Sequence, residues 1–291
     1  MHFLAELLAF IIRPIYNLIE NYGITLIIVT ILIKLLTIPL TLKSQKSMTK
    51  TQMLQPEINK LQEKYKNDRN KLAIEMQKLY KEYDVSPMGG CLPLIFQMFV
   101  LFGFIGVIYH PFEYILGMTG GELKELAKTF TDNANTPETN LWGISGVKEY
   151  VEKLKGSYIN FDFFGIDLTK IPKDAPKEWT VWIFPVLATV LTYLSGIQTQ
   201  MQQKKNAGKS SVNDQAQQTS NTMMKIMPIM TAIFTVTMPI GMSLYWSVST
   251  GVQIVQQAIM NLFVNEKIKS QVEKTQEEIR MKKEQKHPKK H

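Results

Sequence analysis

A chain of 291 residues with 33 Lys and Arg against 25 Asp and Glu carries a formal charge of +8, a balance that suits nucleic acid, a membrane surface or orientation within a membrane. Its mean hydropathy of −0.06 looks soluble, yet the apolar residues gather in long blocks between Lys/Glu-rich stretches, which a soluble domain of this length does not show. The single cysteine, Cys91, excludes an internal disulfide and a cysteine-based metal cluster, and His2, His110, His287 and His291 are scattered with no Cys or acid at ligand spacing. No phosphate-binding loop, dinucleotide fingerprint, nucleophile elbow or metalloprotease motif is present, so an enzyme is the weakest reading and no cofactor or metal is expected.

Residues 1–22 begin with an apolar stretch, Phe3 to Ile12. A signal peptide fits poorly, because there is no basic leader, Glu6 interrupts the core and no small-x-small site follows. An extracytoplasmic interfacial helix carrying Arg13 and Glu20 is expected instead. Five membrane spans follow, at 23–42, 91–112, 179–199, 224–240 and 242–263. Each apolar block approaches the roughly 20 residues that cross a hydrocarbon core. Trp179 and Trp182 suit an interface at the start of the third span. The fourth is short, and "MPIGMS" turns it directly into the fifth.

The loops orient the chain. Residues 42–91 hold ten Lys/Arg and six acids, 199–225 hold four Lys and one acid, and the tail from Asn265 holds nine Lys/Arg and five acids. The segment 113–178 holds eight Lys and eleven acids. The basic loops face the cytoplasm, which places the N-terminus and 113–178 outside and the C-terminus inside. The fold class expected is therefore all-α: a polytopic membrane protein with five transmembrane helices, a cytoplasmic helical hairpin and an N-terminal interfacial helix.

That hairpin lies in 43–90. Leu54, Ile58, Leu61 and Tyr65 recur at steps of four, three and four, and Leu72, Met76, Leu79 and Tyr83 repeat the pattern after the polar break KNDRN. This spacing predicts two antiparallel helices with one apolar seam. Pro56 suits a first helical turn, and Pro87, Gly89 and Gly90 end the hairpin. In 113–178, GELKELAKTF (121–130) and GVKEYVEKLKG (146–156) read as short amphipathic helices with NANTPETN (133–140) as a loop between them, and the segment shows no catalytic constellation. Residues 200–223 read as a cytoplasmic loop, and 264–291 as a basic cytoplasmic tail, helical at first and then disordered.

The informative residue is Lys34, roughly 16 Å along the first span from Gly23 at about 1.5 Å per residue. An ammonium at that depth costs about 2.5–3.5 kcal/mol on insertion scales unless something offsets it. None of the five spans contains Asp or Glu, which leaves water: Lys34 is expected to face a wet cavity. Gln97, Thr192, Ser195 and Gln198 add polar groups, as do Ser243, Ser247, Ser249, Thr250 and Gln253 along the fifth span. Alone these would serve as glue between helices, but beside the lysine they read as a hydrophilic groove. Met223, Met224, Met227, Met230, Met238 and Met242 divide between core packing and an adaptable surface for varied apolar segments. Two rivals remain. One is a secondary transporter or channel using the intramembrane lysine, although no internal repeat is visible. The other is a membrane-anchored coiled-coil scaffold, which would tolerate leucine at position 34.

Several stretches resemble the YidC/Oxa/Alb membrane protein insertases. "ILIKLLTIPLTLKSQKSM" is similar to the first core span and its exit, while "MLQPEINKLQEKYKND" and "KLYKEYDVSPMGGCLPLIFQM" resemble the hairpin and the start of the second span. "INFDFFGIDLTK" resembles the segment before the third, and "MKIMPIM" and "MPIGMSLYWSVST" the last two. The resemblance covers nearly the whole chain apart from roughly 117–157 and the far tail, and its short N-terminus resembles the Gram-positive bacterial form.

The resemblance implies a five-helix core in a bacterial plasma membrane. Its groove opens to cytoplasm and lipid but not to the outside, and moves hydrophobic segments of nascent proteins into the bilayer. Lys34 takes the place of the groove charge, usually an arginine in the family. Gln97, Ser195, Gln198, Tyr245 and Trp246 join it as groove residues, and residues 44–85 are the mobile hairpin. Nascent membrane proteins and the bilayer are the implied partners, with the ribosome touched by the basic tail. The chain is expected to be monomeric; a Sec translocon and signal-recognition machinery are further partners left open. No lipobox cysteine precedes the first span, so an N-terminal lipid anchor is unsupported.

Overall fold

The computed structural model describes residues 2–85, 92–207, 214–263, 270, 271, 273–275, 277, 278 and 281. In chain order the helices are α1 (His2–Ile19), α2 (Tyr22–Leu36), α3 (Ile38–Met53), α4 (Gln55–Lys64), α5 (Arg69–Glu82), α6 (Leu92–Tyr109), α7 (Pro111–Tyr114), α8 (Gly120–Phe130), α9 (Glu138–Leu141) and α10 (Val147–Lys155). A two-stranded antiparallel hairpin follows, β1 (Asp162–Phe163) with β2 (Ile166–Asp167), then α11 (Ile183–Ala207), α12 (Asp214–Thr237) and α13 (Ile240–Phe263). The expected turn at Pro87, Gly89 and Gly90, the neighbouring Cys91 and most of the basic tail lie outside the described residues.

Two compact units divide the chain: one of residues 1–36, 95–193 and 227–252, the other of 37–94, 194–226 and 253–291. The first holds the main apolar core. Ala5, Leu8, Ala9, Ile12 and Tyr16 line the inner face of α1, and Leu26, Val29 and Ile33 that of α2. Phe104, Val107 and Ile108 contribute from α6, and Ile240, Met242, Leu244 and Tyr245 from α13. Two glycines let α6 approach α1 closely: a Cβ on Gly106 would stand 2.6 Å from Ala5 Cβ, and one on Gly103 would stand 2.7 Å from Leu8 Cδ1. Small residues at such a contact favour helix association in lipid, where backbone approach and packing replace the hydrophobic effect. Arg13 fastens α1 from its other flank, donating Nε–H to the Tyr114 carbonyl at 2.7 Å and Nη2–H to that of Glu113 at 3.0 Å.

The segment beyond α6 is a folded cap. α8 and α10 form over the two stretches read as amphipathic helices, while Glu138–Leu141, which begins within the expected loop, is a turn of helix. Thr119 and Glu122 close a capping box at the start of α8. Lys155 at the end of α10 then donates to Glu122 Oε2 at 2.9 Å. That ammonium, with the Thr119 amide, holds the Glu122 carboxyl down to about 2. A folded value below the ordinary 4.5 means the link contributes stability at neutral pH and loses it as pH falls through about 2. Hydrogen exchange of α10, corrected for intrinsic rates, is expected to accelerate between pH 4.5 and pH 2, and Glu122→Gln to remove that dependence. Equal acceleration in the variant would contradict the assignment.

The β-hairpin corrects the all-α expectation. Its two-residue loop, Phe164 and Gly165, has φ of 53° and 80°, the pair of positive values that a tight hairpin matched to strand twist requires. The hairpin's extended flanks satisfy helix ends that would otherwise carry orphan amides. The Asn160 carbonyl accepts from Tyr22 N at the start of α2, and those of Leu168 and Lys170 accept from Gly241 and Ile240 at the start of α13.

The expected first span, 23–42, is not one helix. It breaks at Thr37, because Pro39 lacks the N–H that would bond the Leu35 carbonyl and its ring crowds that oxygen. Likewise α12 starts ten residues before the expected span and ends at Thr237, and α13 starts at Ile240. Among the described residues, α1 and Trp179–Lys205 are long and apolar enough to cross a membrane, with the broken pair α2–α3 as a third if it counts as one span. Ile95–Tyr109 and Ile226–Thr237 are apolar but shorter. α1, expected to lie in the interface, thus has the length and composition of a span.

The second unit contains the α4–α5 hairpin. Leu54, Ile58, Leu79, Tyr83 and Val85 form its buried cluster, with Leu61, Met76 and Tyr80 packed on it. Pro56 sits in the first turn of α4, and Asp68 caps α5 by accepting from Lys71 N at 2.9 Å. Tyr65 and Leu72 are half-buried outside that cluster. Tyr65 instead presents its ring to the ammonium groups of Lys64 and Lys71, at 5.3 and 5.7 Å. Near the base of the hairpin, Tyr83 Oη donates to Glu57 Oε1 at 3.1 Å. Burial, reinforced by that carboxylate, raises the Tyr83 hydroxyl pKa, so it stays a donor at every physiological pH.

Candidate functional site

Three of the predicted groove residues meet in the first unit. Lys34, near the end of α2, donates Nζ–H to Gln97 Oε1 at 2.9 Å, and Gln97 donates Nε2–H to Tyr245 Oη at 2.9 Å. The chemistry dictates this order. An ammonium has donors only, so it requires the amide oxygen, which turns the amide nitrogen toward the tyrosine hydroxyl. Lys34 and Gln97 are half-buried, while Tyr245 is fully buried. Phe104 fixes the tyrosine ring by stacking at 4.2 Å with an interplanar angle of 28°. One polar chain thereby joins α2, α6 and α13.

Beside the water expected around it, the lysine has a direct partner, the one amide of an otherwise apolar helix. A neutral acceptor satisfies one ammonium proton without itself cancelling the charge. A carboxylate there would have neutralised it.

The other predicted residues fall elsewhere. Trp246 packs on Phe234 at 5.7 Å, beside the tyrosine in sequence but outside the polar chain. Ser195 and Gln198 belong to the second unit, where Gln198 Nε2–H donates to the Ile254 carbonyl at 3.1 Å and bridges α11 and α13. Ser243 and Ser247 are buried, and their hydroxyls bond the carbonyls of Thr235, Phe184 and Ser243. These two serines therefore join helices instead of lining a wet surface, which resolves the choice between glue and groove for them. Met242 is core, whereas Met227 and Met230 are exposed; the side chains of Met223 and Met224 lie outside the described residues.

Around the polar chain the first unit shows apolar side chains outward: Ile95 and Phe99 on α6, Val186, Leu187 and Val190 on α11, and Ile229, Met230 and Ile233 on α12. A surface of this kind suits lipid or another apolar partner. Sequence reasoning missed two things. The direct Lys34–Gln97 bond could have been suspected from Gln97 being the sole amide in its helix. The grouping of His110 with Glu113 and Glu138 was half visible as an i,i+3 pair, but Glu138 arrives from a distant segment.

An apolar helical bundle with a cationic polar centre is the build of an integral membrane protein. The chain matches the 60Kd inner membrane protein family over residues 14–270, and so belongs to that family, the YidC/Oxa membrane protein insertases, which serve membrane protein biogenesis and are not enzymes. It is 32% identical over 254 residues to the membrane protein insertase YidC of Fusobacterium nucleatum, covering 87% of this chain and 93% of that protein. To the YidC of Syntrophobacter fumaroxidans it is 32% identical over 261 residues, covering 89% of this chain but 38% of that protein. To that of Syntrophus aciditrophicus it is 49% identical over 113 residues, 39% of this chain and 21% of that protein. The chain thus spans nearly all of the first relative and well under half of the other two.

Proposed function

We propose that this chain inserts hydrophobic segments of nascent proteins into the bilayer by offering their short acidic outer tails a half-buried cation, Lys34. The observation that carries the reading is the Lys34–Gln97–Tyr245 chain, which places an ammonium on a neutral amide acceptor inside an apolar helical bundle. A carboxylate in the arriving tail gains Coulomb energy at reduced dielectric. The apolar segment that follows moves along the exposed apolar faces of α11 and α12 into lipid. Its own burial, about 0.8 kcal/mol per CH₂, drives the step without nucleotide hydrolysis.

In this reading five spans cross a bacterial plasma membrane, with the N-terminus and 113–178 outside. The α4–α5 hairpin and basic tail lie in the cytoplasm to receive the nascent chain and the ribosome. The charge distribution of the loops supports that orientation, and the short fourth apolar block, 224–240, fits a locally thinned bilayer. The transporter and scaffold alternatives gain no observation of their own. Proteoliposomes holding only this chain are expected to insert a single-span substrate with an acidic outer tail well above empty liposomes. Insertion no better than in empty liposomes would overturn the proposal.

A further inference from the structure

Where α6 passes into α7, His110 and Glu113 stand one turn apart, and Glu138 at the start of α9 comes in beside them. One ligand atom from each of the three lies within 4.8 Å of the other two. The side chain of Glu138 is only 5% exposed. Its Oε2 is fixed by the Phe112 amide at 2.7 Å. Its Oε1 is buried, has no hydrogen-bond partner and points at His110 Nδ1, 3.6 Å away. A desolvated carboxylate oxygen whose nearest donor is an imidazole nitrogen at 3.6 Å is poorly satisfied, and a cation held between the two would relieve it. A second imidazole is at hand: His2 of α1 holds Nε2 3.1 Å from Glu113 Oε1.

We infer that His110, Glu113 and Glu138, with His2 as a fourth donor, form a binding site for a divalent transition-metal ion of the zinc class. Two imidazoles and two carboxylates suit zinc and its neighbours, whereas calcium and magnesium favour all-oxygen shells. Bonds of about 2.0–2.2 Å require the donors to close in from their present spacing. His110, Glu113 and His2 are 48%, 28% and 66% exposed and have room to rotate, while Glu138 is held as the fixed anchor. The metal would tie α1 to the junction of α6 and α7 and to α9, elements remote in sequence. It would not touch Lys34, so the site is independent of the insertion mechanism.

The test uses the full chain in detergent micelles, stripped with a chelator and titrated with Zn²⁺ by calorimetry, with the visible absorption of Co²⁺ as a second readout. One Zn²⁺ per chain is expected, not displaced by excess Mg²⁺. Glu138→Gln and His110→Ala should each weaken it by at least tenfold and abolish the Co²⁺ band, and His2→Ala should weaken it several-fold. His287→Ala combined with His291→Ala should leave binding unchanged. Because Glu138 also holds the Phe112 amide, Glu113→Gln replaces Glu138→Gln if the latter does not elute as a monodisperse protein, with the same loss expected. No stoichiometric binding would overturn the inference. So would binding that survives His110→Ala and the carboxylate variant, or binding lost with the two tail histidines.

Discussion

Insertion of a substrate with an acidic outer tail is expected to fall by roughly tenfold or more when Lys34 is replaced by leucine, and to persist when it is replaced by arginine. A full charge meeting a carboxylate at about 4 Å gains about 4 kcal/mol at an effective dielectric near 20. Water reaching the half-buried ammonium screens this, and about 1–2 kcal/mol survives. One decade in rate corresponds to about 1.4 kcal/mol. Arginine keeps the charge and adds donors, so it serves a carboxylate at least as well. Leucine removes the charge in a position where an apolar side chain is comfortable, so the variant is expected to fold. A scaffold would be indifferent to all three residues. Equal rates with leucine and lysine would therefore remove Lys34 from the mechanism and leave the hairpin, the apolar faces and bilayer thinning to carry the activity.

Gln97→Glu separates the presence of the lysine from the availability of its charge. Glutamate is nearly the same size as glutamine and would receive the same 2.9 Å bond from Lys34 Nζ, now as a charge-assisted ion pair. The protein is expected to be at least as stable, and insertion of the acidic-tailed substrate is expected to drop to a level near that of Lys34→Leu. Gln97→Leu has a different signature. It strips the ammonium and the Tyr245 hydroxyl of this partner and is expected to destabilise the bundle by about 1–3 kcal/mol. Thermal unfolding in detergent together with the proteoliposome assay distinguishes the two. Wild-type insertion by a well-folded Gln97→Glu protein would show that the positive charge of the site is not what the substrate engages.

The hairpin seam could be read from residue spacing and two members of the polar centre, Lys34 and Gln97, from their apolar setting, whereas Tyr245 entered only through the family resemblance. Lys34 and Gln97 each interrupt an apolar helix, and a polar group in that setting must find a partner. The partnership itself was not legible, because it joins helices 63 residues apart and depends on how α2 and α6 pack. The break at Thr37 was signalled by Pro39, although hydropathy averages across it. The β-hairpin at 162–167 is too short for an alternating pattern, and only Gly165 hints at its turn. Ser243 and Ser247 were misplaced for a different reason: a hydroxyl that bonds a helix carbonyl looks, in sequence, the same as one that lines a cavity. The hairpin's apolar periodicity extended to Tyr65 and Leu72, but periodicity records which face a residue takes and not how far along the seam the two helices stay in contact.

The most direct measurement of the central claim is a charge exchange in proteoliposomes. The acidic residues of a single-span substrate's outer tail are replaced by lysine, and Lys34 by glutamate. Each single change is expected to depress insertion by about tenfold, and the two together to restore most of it, because attraction between tail and groove depends on the product of the charges. Failure of the pair to recover, with both proteins folded, would contradict a role for Lys34 as the receptor of the translocated tail.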